Sequence, residues 1–155
     1  MSDGLPPCGL YKTTIDIGSV PAGRLVMFHN HGNPGPGVYL PEDWHLNRAT
    51  FSEQGETLGD PGLAVTLEPL PPEGLYRVLE PFTCCEKNCR TFDADLLVQL
   101  GYNGEGTPIL FVPEWTPGGL AFPAVGTPLD TERLTRMAPL TVQQGEPVKA
   151  VGAPS

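Results

Sequence analysis

Along residues 10–17, LYKTTIDI, apolar and polar positions alternate. Tyr11, Thr13, Ile15 and Ile17 fall on one side and Lys12, Thr14 and Asp16 on the other, the period of a half-buried strand. Further short apolar runs follow, RLVMFH (24–29), VYLP (38–41), LLVQLGY (96–102) and ILFVP (109–113), separated by turns rich in Gly, Asn and Pro. No stretch among these runs offers ten residues of helical periodicity, so the pattern predicts an all-β chain of short strands.

The runs occur twice. Shifting the chain by 72 aligns 22–42 with 94–114, and seven of those 21 pairs are identical, among them Leu25/Leu97, Val26/Val98, Pro41/Pro113 and Glu42/Glu114. Composition alone predicts about one or two matches. At a shift of 71 the match continues through Trp44/Trp115, Phe51/Phe122, Gly55/Gly126 and Leu58/Leu129, and upstream GLYK (9–12) matches GLYR (74–77) at a shift of 65. The expected architecture is therefore an internal tandem duplication of a small SH3-like, barrel-like unit, SH3-like being an analogy of layout only. Its parts are repeat one at 9–59, a connector at 60–73, repeat two at 74–130 with a Cys-rich loop insertion at 82–92, and a short helical turn and flexible tail over 131–155. In that turn, TERLTRM, Asp130 or Thr131 is the expected N-cap. Trp44 and Trp115 read as core residues closing each barrel. Glu42 and Glu114, a repeat apart, carry no acid/base pairing on the sequence alone.

Composition adjusts this picture in two places. Nine Lys and Arg stand against 18 Asp and Glu, a net charge of −9, which repels polyanions and argues against nucleic acid or anionic membrane as partner, leaving a protein partner. The N-terminus shows no basic start followed by an apolar run, and no segment reaches the roughly 18 apolar residues of a membrane span, so the expected compartment is the cytoplasm, where thiols stay reduced.

The candidate chemistry lies where the two copies differ. The shift grows from 65 to 72 between Arg77 and Ala94, an interval that contains Cys84, Cys85 and Cys89. Thiolates bind zinc in closed tetrahedral sets, and Cys85-x3-Cys89 has a usual ligand spacing. The expected metal set is Cys84, Cys85, Cys89 and Cys8, with zinc as the ion and a histidine as the alternative fourth ligand. Cys8 enters because it precedes the first GLY strand. All three histidines belong to the first copy: His29, His31 and His45 align with Gly101, Asn103 and Thr116. The HNH at 29–31 reads as a strand end entering a turn, with solvent-facing rings.

Lys87 and Arg90 flank the cysteines and favour thiolate. This supports the competing reading, a thiol enzyme or redox sensor with Cys85 or Cys89 as nucleophile. Nucleotide-binding glycine loops, GxSxG and HExxH are absent from the sequence. The expected function is a non-catalytic interaction or scaffold protein whose Cys-rich loop is ordered by a structural metal ion.

Overall fold

The computed structural model describes residues 5–31, 35–84 and 90–141. Strands take 45% of the chain and helical turns 9%, so the protein is mostly β. The first half forms β1 (Gly9–Lys12), β2 (Leu25–His29), β3 (Gly37–Tyr39), the hairpin β4 (Pro41–His45) and β5 (Arg48–Phe51), then β6 (Glu56–Thr57), a 3-10 helix (Pro61–Thr66) and β7 (Glu68–Pro69). The second half forms β8 (Gly74–Val78), the small ladder β9 (Phe82–Thr83) and β10 (Thr91–Phe92), β11 (Leu97–Tyr102), β12 (Pro108–Phe111), the hairpin β13 (Glu114–Thr116) and β14 (Gly119–Ala121), β15 (Thr127–Pro128), a second 3-10 helix (Thr131–Arg136) and β16 (Met137–Pro139).

Two five-stranded antiparallel sheets result, ordered β6-β3-β2-β1-β7 and β15-β12-β11-β8-β16. They use corresponding elements in the same order, and the pairing agrees residue for residue. Gly9 faces Phe28 as Gly74 faces Leu100, and Met27 faces Tyr39 as Gln99 faces Phe111. Val38 faces Glu56 as Leu110 faces Thr127, and Lys12 faces Glu68 as Arg77 faces Ala138. Each β-unit also repeats a tyrosine anchor, Tyr11 donating to the Pro7 carbonyl at 2.7 Å and Tyr76 to that of Pro72 at 2.6 Å.

Four expectations change. Neither sheet closes into a barrel, since both ladders end in two-residue or three-residue edge strands. The stretch 60–73 contributes more than a connection, because β7 adds to β1 and Leu70 N–H bonds the Leu10 carbonyl, as Leu140 bonds that of Leu75. The strand expected over 10–17 stops at Lys12. Tyr11, Thr13 and Ile17 are buried as the alternation requires, but Ile15 is exposed, because the chain reverses through Gly18 to bridge Ile17 with Val20. Both tryptophans, expected in the core, are exposed, since each sits on a hairpin that projects off its sheet. The helical turn stands at Thr131–Arg136 with Asp130 at its N-cap position, and the tail lies outside the described residues from 142 on. No helix among the described residues is long and apolar enough to cross a membrane.

The equivalent of the Ile17–Val20 bridge is the Phe82–Phe92 pair of β9 and β10. Gly18 and Ser19 stand between the first pair and 83–91 between the second, a difference of seven residues.

The first sheet serves two cores. Tyr11, Val26, Phe28 and Val38 close the core of the first unit with Leu58, Ala64 and Leu67, and Tyr11 meets Phe28 edge to face. Leu10 and Leu25, on the opposite face, join Tyr76, Val98, Leu100 and Leu110 of the second. The same alternation that makes β2 a strand thus makes it the shared wall. Two glycines repeat a packing constraint: a Cβ on Gly55 would lie 2.5 Å from the Val38 carbonyl oxygen, and one on Gly126 2.6 Å from that of Leu110. Gly55→Ala and Gly126→Ala should each destabilise the fold by about 1–3 kcal/mol through forced backbone shifts. Gly59→Ala, which meets open space, should stay within about 0.5 kcal/mol; thermal melting of the three variants checks this.

Candidate metal site

The antiparallel register that pairs Gly9 with Phe28 carries Cys8 and His29 past the end of the β1–β2 ladder together. The chain then turns, bringing His31 back beside them. The ligand atoms of Cys8, His29 and His31 all lie within 4.8 Å of one another, and all three residues are exposed. Cys8 Sγ is 3.6 Å from His31 Nδ1, and the two imidazole centroids are 5.9 Å apart. His29 also meets the Tyr39 ring edge-on at 5.4 Å.

Asn30 organises the group. Its Nδ2 donates to the Pro6 carbonyl at 3.1 Å, which turns its Oδ1 toward Cys8 Sγ at 3.3 Å and His31 Nδ1 at 3.0 Å. Its backbone N–H donates to Cys8 Sγ at 3.4 Å. With Asn30 Oδ1 accepting, His31 Nδ1 carries its hydrogen and Nε2 keeps the lone pair a metal ion needs. A Cys/His/His group of this kind can hold a metal ion.

Of the expected ligands, Cys8 is in this group and Cys84 is not. Cys84 is buried beside Phe82 and Phe92, its N–H bonded to the Arg90 carbonyl and its C=O accepting from Asp130 N–H. The strand pairing thus draws Cys8 toward the histidines of its own unit. Cys85, Cys89 and Lys87 lie outside the described residues. His45, at the end of β4, belongs to no such group among the described residues. The histidine pair escapes a sequence reading because 21 residues separate Cys8 from His29 and only the β1–β2 pairing unites them. A usable signal exists in the aligned copies: PPCGLYK (6–12) faces PPEGLYR (71–77), so Cys8, His29 and His31 correspond to Glu73, Gly101 and Asn103, and the second copy lacks all three donors.

Beside this group a cavity of about 480 Å³ is lined by Cys8, Leu10, Met27, Ala49, Phe51 and Glu73, among others. Burial raises the Glu73 pKa above its ordinary value, against the opposing effects of the Ala49 N–H, which donates to Oε2 at 2.9 Å, and of Arg48. A carboxyl whose folded pKa is raised holds its proton more tightly folded than unfolded. Stability therefore falls as pH rises from the unfolded value through the folded one. Glu73→Gln keeps an oxygen acceptor for Ala49 and removes the charge. Its melting temperature should exceed that of the parent at pH 7 and match it at pH 4, as measured by paired melts at the two values.

Comparison with family models, with curated proteins and with solved structures gives no match.

Proposed function

We propose that the protein is a non-catalytic interaction module made of two diverged copies of one small β-unit, the first of which carries a zinc ion on Cys8, His29 and His31. The observation that carries this reading is the convergence of one thiol and two imidazoles on a shared point. Sulfur with two nitrogens and no carboxylate suits zinc and other borderline or soft ions rather than magnesium or calcium. Tetrahedral zinc holds its donors roughly 3.5 Å apart, and the ligand atoms of all three residues lie within 4.8 Å of one another. Small side-chain rotations bring in His29. The three donors are exposed, so the fourth position faces outward, where water or a partner's donor completes the shell. The compartment of this reading is the reducing cytosol, where Cys8 persists as a thiol. A basic or neutral protein partner approaches a chain of net charge −9 most easily.

The matched registers of the two sheets support the duplication, and the absence of all three donors from the second copy fits a site acquired or retained by one copy alone. The set Cys84, Cys85, Cys89 and Cys8 is the competing ligand assignment. A second reading, thiol chemistry, is favoured by the Cys8–His31 contact. Against it, the nitrogen that faces the sulfur already donates to Asn30 and is not available as a base toward the thiol.

Zinc titrated into chelator-stripped full-length protein should bind one ion per chain, and cobalt in its place should show thiolate-to-metal absorption. His29→Ala and His31→Ala should each weaken binding by more than about 100-fold. Full affinity in both histidine variants would reassign the ion to the cysteine loop. Failure to bind zinc, with rapid alkylation of Cys8, would leave the thiol reading.

A further inference from the structure

Where the two units meet, their side chains leave a hollow of about 480 Å³, a usual size for small-molecule sites, which favour such joints. Leu10 lies in the core of the second unit, and Met27, Ala49, Phe51 and Leu70 pack against that core. The same five side chains give the hollow its apolar wall. Its edge is pinned by hydrogen bonds: Leu70 N–H bonds the Leu10 carbonyl, the Tyr102 hydroxyl donates to the Pro71 carbonyl at 2.7 Å, and the Tyr76 hydroxyl donates to that of Pro72 at 2.6 Å. A cavity held in this way is formed before a ligand arrives, so little ordering accompanies binding. Cys8, Arg48 and Pro72 also line it and are exposed, so the hollow opens to solvent.

One group is out of keeping with that wall. The Glu73 carboxylate, which lines the hollow, accepts a hydrogen bond from the Ala49 N–H on Oε2. Oε1 accepts none among the described residues, and it is not sealed inside the protein. Glu73 also forms no ion pair among them. Burial keeps its pKa raised even with Arg48 pulling the other way. A carboxylate held against hydrocarbon without a counter-charge favours any cation that brings hydrogen-bond donors with it. Glu73 belongs to no group of metal donors among the described residues, which leaves an organic cation.

We infer that the hollow binds a small organic ammonium ion with an apolar body, its N–H groups on Glu73 Oε1 and its hydrocarbon against Leu10, Met27, Phe51 and Leu70. An apolar amine satisfies both features of the wall at once. An alcohol of the same shape leaves the carboxylate without a counter-charge, and a carboxylate of the same shape is repelled by it. Arg48, the other charged group of the wall, lines the neighbouring hollow as well. It is exposed, so water screens its repulsion of the ligand. The net charge of −9 draws cations toward the chain and holds anions away.

The inference is independent of the metal, so titrations of the full chain are run in chelator at neutral pH and followed by methyl NMR. Phenethylamine should saturate one site per chain and bind at least tenfold more tightly than phenethyl alcohol, with phenylacetate weaker than either. The methyl resonances of Leu10, Met27, Ala49 and Leu70 should shift as it binds, and those of Val38 and Leu58, in the core of the first unit, should stay in place. Glu73→Gln should abolish the tenfold preference for the amine over the alcohol and leave the affinity for the alcohol unchanged. Amine binding that does not saturate, shifts confined to other methyl groups, tighter binding of phenylacetate, or an amine preference that survives in Glu73→Gln would each overturn the inference.

Discussion

A primary amide inside a sheet must find partners or cost the fold the desolvation of both its ends. Gln99 sits in the middle of β11 and is buried. Its oxygen accepts from Asn47 and its nitrogen donates to the Leu46 carbonyl, so both ends are satisfied by a turn some fifty residues earlier in the chain. Withdraw that turn and the amide is left unpaired against apolar neighbours. The pairing orders the hairpin, fixes the two units relative to one another, and shapes the cavity in which Glu73 is half-buried. At the equivalent position the first unit has Met27, which asks for no hydrogen bond and packs against the core of the second unit.

Equivalent positions in the two units have accordingly taken different work. Cys8 and Glu73 begin matching strands, each after two prolines and before Gly-Leu-Tyr. Glu73 lies under the hairpin and accepts from the Ala49 N–H, while Cys8 stands at the open end of its sheet with two imidazoles. What separates them is whether a hairpin lies on top. A covered position suits a hydrogen-bonded acceptor, and an exposed one leaves donors convergent and accessible to an ion.

The matches between the two halves of the sequence were legible because identity is kept where strands pair. Leu25, Val26, Gly55, Leu58 and their counterparts hold the same ladder or the same close approach in both sheets, so the shifts of 65, 72 and 71 are the sheet registers written in one dimension. It misled on the tryptophans, since a large aromatic at the end of a strand reads as core whether the next strand folds back under the sheet or away from it; only the hairpin direction decides. It grouped Cys8 with the cysteines because Cys8 precedes the first GLY strand, while the pairing of β1 with β2 that sets Cys8 beside His29 and His31 is not visible along the chain. All three histidines stand in the first half of the chain, and two of them meet Cys8 through the β1–β2 register.

Between Ile17 and Val20 the backbone turns through Gly18 and Ser19, and between Phe82 and Phe92 it takes 83–91 to make the same link. Downstream, β2 and β11 pair with β1 and β8 in matching register despite the difference. Loop closure entropy grows only slowly with length, so a link of nine residues in place of two adds little to the closure cost, and the thread of the sheet downstream is unaffected.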